Sequence, residues 1–268
     1  MKCLLAAIGA FAMILTATSV LAQATVPPST PRDSRAVQPE RPTVSTHAGT
    51  VAPGWVELEF GVEFDRYRDR TRGGGAPIAA KVGLTSRTQL NIVGTVLQPA
   101  GLSNTGIGDL TVGVKWRLFD DAPVLGRFAI QPNVKMPTGS IVEATGTGTT
   151  DTSLVLVSSH DLGPVALDVN LGYTRRGGTG ERVPKSQTVW TVSFGGPAVG
   201  AIGWAAELYG YPRTSGPAGA DSVVAVLVGP TAQIRQWLVV DAGVIVPVTG
   251  PQPHAIYVGG VWNIGRLW

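Results

Sequence analysis

Cysteine is almost missing: Cys3 is the only one in 268 residues. It precedes the first apolar run, so the rest of the chain offers no disulfide, no thiolate nucleophile and no cysteine metal site. Charge is scarce as well, at 15% of residues against roughly 25% in soluble domains, so something other than water is expected to touch the surface. Histidine is limited to His47, His160 and His254. No two are close in sequence and none lies well inside a patterned segment, which argues against a metal centre and against a Ser-His-Asp hydrolase. The "TGTGTT" run at 145–150 lacks the Lys and the strand-to-helix setting of a phosphate loop. Neither an enzyme nor a cofactor is expected. The formal charge is +3, and +2 once Lys2 is set aside (20 basic, 18 acidic), too small an imbalance to imply a nucleic-acid partner.

The opening "MKCLLAAIGAFAMILTATSVLAQA" has one Lys, an apolar run from Leu4 to about Leu15, and small residues at Ala22 and Ala24. It reads as a secretory signal peptide over 1–24. Residues 25–53 hold six prolines and few apolar residues, with neither a two-residue nor a 3.6-residue period. They are expected to form a flexible periplasmic tail.

From Gly54 onward the text alternates apolar and polar residues in about twelve segments near ten residues long, the length a tilted strand needs to cross the hydrocarbon. "GDLTVGVKWRLF", from Gly108 to Phe119, is the clearest: Leu110, Val112, Val114, Trp116 and Leu118 share one face, Thr111, Gly113, Lys115 and Arg117 the other. Long Gly/Thr/Ser/Arg-rich connections such as "DRYRDRTRGGG" and "PTGSIVEATGTGTT" alternate with tight ones such as "TSR". An even strand count and loops sorted by length predict an all-β chain folded, over 54–268, as a transmembrane antiparallel up-and-down barrel of about twelve strands.

In such a barrel the apolar row meets lipid and the polar row lines the lumen. Val56, Leu58, Phe60 and Val62 are then outward. The inward set, candidates for setting selectivity, is Glu57, Glu59, Glu63, Lys81, Lys115, Arg117, Gln131, Asn133, Lys135, Asp168, Asn170, Glu207 and Asp241. Its acidic members on the first strand and basic members further on read as opposing arcs, or else as ion pairs filling the lumen. "TSLVLVSS" and "SVVAVLVG" are apolar on both faces, which leaves their register open. Arg66, Arg68, Arg70 and Arg72 cluster in the first outer loop, where guanidinium groups suit lipopolysaccharide phosphates. The last strand ends on the aromatic Trp268, resembling the terminal signal that outer-membrane barrels present to their assembly machinery, with Arg266 as a departure.

The segments "GDLTVGVKWRLFDD", "IQPNVKMPTGS" and "GTGTTDTSLVLVSSHDLGPVALDVNLGYTRR" resemble the MetA-pathway-of-phenol-degradation family, whose members are often called simply transporters. The likeness spans about Trp55 to Trp268 and is densest from Gly108 to Arg176. It implies a bacterial outer-membrane barrel for passive uptake of small aromatic or other apolar molecules. Its partners would be outer-membrane lipid and lipopolysaccharide. The alternative is a non-conducting structural or adhesive barrel whose outer loops bind a partner.

Overall fold

The computed structural model describes residues 33–268. The expected signal peptide and residues 25–32 of the expected tail lie outside them. The described elements are all strands: β1 (Trp55–Arg66), β2 (Arg72–Thr85), β3 (Thr88–Gln98), β4 (Gly106–Ile107), β5 (Leu110–Ala122), β6 (Gly126–Met136), β7 (Asp151–Leu162), β8 (Val165–Arg176), β9 (Ser186–Val199), β10 (Ile202–Tyr211), β11 (Val223–Arg235), β12 (Leu238–Thr249) and β13 (His254–Arg266). Each long strand pairs antiparallel with its neighbours in sequence, β3 pairs with β5, and β1 pairs with β13 to close the ring. β4 is a two-residue addition to the end of β3. The result is a closed twelve-stranded antiparallel barrel. Closure leaves no strand edge, which a hydrocarbon environment requires because it offers no water to unpaired N–H and C=O groups.

One end carries the turns 86–87, 123–125, 163–164, 200–201 and 236–237. Gly163 and Gly200 make two of them possible by taking positive φ values of 75° and 58°. The other end carries the longer connections 99–109, 137–150, 177–185 and 212–222, with the shorter 67–71 and 250–253. The first outer connection is therefore much shorter than "DRYRDRTRGGG" led us to expect. Gly73, Gly74 and Gly75 belong to β2, paired with Asp65, Phe64 and Glu63. A glycine run has no side chains to alternate, so the pattern announced β2 only from about Pro77 and missed its beginning.

Exposure separates the two faces of the wall. Trp116 is 52% exposed while Lys115 beside it is 0% exposed. Phe60, Phe64, Ile78, Val134, Leu171, Val258 and Trp262 are exposed around the outside. Val56 departs from the expected outward row: a register shift between Val56 and Glu57 leaves both buried. The two ambiguous registers are resolved. β7 turns Asp151, Val157 and Ser159 inward and Leu154 outward, and β11 turns Ala225 and Leu227 inward and Val228 outward. The lumen consequently has one apolar wall, where Tyr209, Ala225, Leu227, Ile245, Ala255 and Tyr257 from β10–β13 pack together.

Candidate functional site

The expected flexible tail takes a different course in the structure: residues 34–53 are tied to the inward side chains of the barrel. The ties follow from what an extended segment exposes, a row of backbone N–H groups, and from what the strands supply, a set of carboxylate and amide oxygens. Gln38 N–H donates to both oxygens of Glu57, at 3.0 and 3.1 Å, and Glu40 N–H to Glu59 at 2.8 Å. Val44 and Ser45 N–H groups donate to the two oxygens of Glu207, each at 2.7 Å. Thr46 N–H donates to Asn170 Oδ1 at 2.7 Å, Ala48 N–H to Ser159 Oγ at 2.8 Å, and Val51 N–H to Gln89 Oε1 at 2.8 Å. Bonds to charged acceptors contribute about 1.5–3 kcal/mol each, so the set outweighs the poor apolar content of the segment. Ordering here comes from polar satisfaction, and composition alone pointed the other way.

Side chains of the segment complete the seat. Lys81 lies between Glu57 (3.2 Å) and Glu59 (2.7 Å) and also donates to the carbonyl of Gln38. Lys115 donates to the Glu40 carboxylate, to Thr46 Oγ1 at 2.6 Å and to the His47 carbonyl at 2.8 Å. Burial acts to raise the pKa of Glu40, but Lys115 and Lys81 win and hold it well below the usual carboxylate range. Ser45 Oγ donates to Ser193 Oγ at 2.7 Å. Arg41 reaches Asp241 with Nε and Nη2, at 3.3 and 3.1 Å. Of the two arcs of opposite charge read from the sequence, Glu57, Glu59, Lys81 and Lys115 are thus local pairs gathered around one segment.

The other inward residues fall elsewhere. Arg117 sits at the short-turn rim, donating to the Ser86 carbonyl at 2.7 Å and ion-paired with Asp120 at 2.8 Å. Lys135 lies at the opposite mouth between Asp109 (2.6 Å) and Asp151 (3.1 Å). Gln131 and Asn133 bond each other at 3.0 Å, and Asp168 takes the Ser159 hydroxyl. Glu63 lies two residues from Asp65 on the same face of β1. Asp109 also accepts from the N–H groups of Gly139 and Thr147, both at 3.0 Å, and so pins the 137–150 loop. Burial opposes the charged form of Asp109, yet Lys135 and these N–H groups hold its pKa below the ordinary value. Arg66, Arg68, Arg70 and Arg72 are all exposed around the 67–71 turn. His160 lies 2.9 Å from Ser158 Oγ, but that hydroxyl donates to the Leu125 carbonyl at 2.7 Å, so the pair fixes a turn. Among the described residues no group of three or more His, Cys, Asp or Glu is arranged to hold a metal.

The segment divides the free space of the lumen. A cavity of about 280 Å³ lies on its long-loop side, between Glu40–Thr46 and residues such as Gln131, Val155 and Val189. One of about 360 Å³ lies on its short-turn side, between Pro39–Thr43 and residues including Asp168, Ser193 and Gln233. Arg41 and Thr43 border both.

Known structures share this architecture. The COG4313 outer membrane channel from Pseudomonas putida F1 matches with a TM-score of 0.66 at 10% identity, over 82% of this chain and 99% of that one. The fold is that of an outer-membrane β-barrel. The NanC porin matches the barrel with a TM-score of 0.53 at 7% identity, over 78% of this chain and 98% of its own. The KdgM porin does so with 0.50 at 12%, over 78% and 99%. No family model matches the chain, and no curated protein does.

Proposed function

We propose that this barrel is a passive outer-membrane channel for small molecules, with the seated 34–53 segment narrowing its lumen. The carrying observation is the pair of cavities beside that segment, both bordered by Arg41 and Thr43. The fold shared with proteins named as channels and porins supports the same reading. The solutes we favour are aromatic or otherwise apolar, consistent with the MetA-family resemblance of the quoted segments. The Arg cluster at the outer rim would meet lipopolysaccharide phosphates, and the strand ending near Trp268 would engage the assembly machinery.

Liposomes carrying the purified protein test this. A membrane-impermeant aromatic solute such as benzenesulfonate or benzyltrimethylammonium should enter faster than a sugar of similar size. Entry of neither above protein-free liposomes overturns the channel; equal entry overturns only the aromatic preference. One observation favours a second reading, a non-conducting adhesive barrel: the same segment plugs the lumen while four long loops face the other way. Loss of cell-surface binding on loop deletion, together with silent liposomes, would select it.

A further inference from the structure

We infer that Arg41 is the latch of the channel: its guanidinium, seated in a notch of the barrel wall, closes the partition between the two lumenal cavities, and its release opens them to each other while residues 44–46 stay seated. The notch is built from one row across three adjacent strands. Gly61 of β1 pairs with Gly259 of β13, which pairs with Asp241 of β12. The guanidinium lies over both glycines: a Cβ on either would fall 2.5 Å from Arg41 Nη2. Asp241 then takes two of its N–H groups, at 3.3 and 3.1 Å. Two facing glycines provide the depth, and the carboxylate fixes the orientation as a bidentate partner does.

The latch differs from the rest of the seat in three ways. It is a side-chain contact at the end of a flexible stem, whereas residues 38, 40 and 44–46 are held by their backbones. It retains 14% side-chain exposure, so solvent already reaches it. It also lines both cavities, as does Thr43 two residues on. A swing of Arg41 and the 41–43 backbone is therefore the smallest motion that joins the two spaces. It would bare the Asp241 carboxylate in a lumen where Asp168 is satisfied by a hydroxyl and Glu207 by backbone N–H groups. The opened state would accordingly favour cations.

This inference rests on the channel reading, and single-channel recording of the full chain in planar bilayers separates the two. Arg41→Ala should raise conductance several-fold and shift the reversal potential toward cation selectivity. Gly61→Ala, whose Cβ would meet only the Arg41 guanidinium, keeps both charges but fills the notch, and should raise conductance with the smaller selectivity shift; heat-modifiable gel mobility confirms that each variant folds. Ser45→Cys with Ser193→Cys replaces hydroxyls 2.7 Å apart. Oxidation should then cross-link the segment to β9, and the Arg41→Ala gain should survive that lock. A wild type that conducts, with both variants unchanged, overturns the latch and leaves the channel standing. A gain abolished by the lock also overturns it, because the whole segment would then have to leave. Silence of wild type and every variant overturns the channel itself.

Discussion

Val114 and Lys115 are chain neighbours with opposite surroundings. Lys115 is completely buried, and the partners of its ammonium all belong to the seated segment: Glu40, Thr46 and the His47 carbonyl. Lys115→Gln should leave the barrel folded but remove the ammonium from the Glu40 carboxylate, which keeps Gln89 Nε2 at 3.3 Å, at a cost of about 1.5–3 kcal/mol to the seating of the segment. Faster hydrogen exchange over residues 40–48, with unchanged gel mobility, would show it. Val114 lies on the face of Trp116 and meets lipid, so Val114→Arg should instead destabilise the barrel by about 2–4 kcal/mol. Equilibrium unfolding in lipid followed by gel mobility measures that. A slip of one residue would exchange the two results.

Asp109 offers a pH test at the same scale. Its folded pKa is depressed, so its anchoring of the 137–150 loop is complete above the ordinary aspartate value near pH 4 and is lost only as pH falls through the lower folded value. Cleavage after the exposed Glu143 by a Glu-specific protease should therefore stay slow and constant from pH 8 to pH 5. Asp109→Asn should accelerate it throughout that range. A wild-type rate climbing between pH 7 and pH 5 would contradict the assignment.

The seated segment is the element that composition hid. Strands announce themselves because side chains alternate between two environments, and each of the twelve patterned segments lies within or overlaps a long strand. Residues 34–53 are recognised through their backbone N–H groups, which every sequence carries, and the residues that bind them stand on strands distant in the chain. Glu57, Glu59 and Glu207 were legible as inward carboxylates; what they held was not. Nor was the notch, since Gly61 and Gly259 signal only an absence of side chain until the ladder pairs them. Glu207→Gln measures the segment's grip. It keeps one acceptor for Val44 and Ser45 but removes the charge, and should weaken seating by about 1–2 kcal/mol, roughly tenfold in amide exchange at those two residues. Unchanged exchange there would mean that the Glu207 contacts contribute little.

At the scale of the molecule, a barrel of twelve strands falls between eight, whose interior side chains fill, and sixteen, which leave a water channel. Here the remaining space is taken by a polar segment rather than by larger side chains, which keeps the wall regular and makes the occlusion separable from the fold. The lumen also carries more carboxylates than cations. Lys81, Lys115 and Arg41 are matched by Glu57, Glu59, Glu40 and Asp241, while Asp168 is satisfied by a hydroxyl and Glu207 by backbone N–H groups. The most direct test is the conductance of the purified full chain in a planar bilayer with a salt gradient. Discrete small steps above the lipid background and a reversal potential on the cation-selective side are expected. A bilayer that stays silent, with the barrel shown to be folded and inserted, would contradict the channel reading.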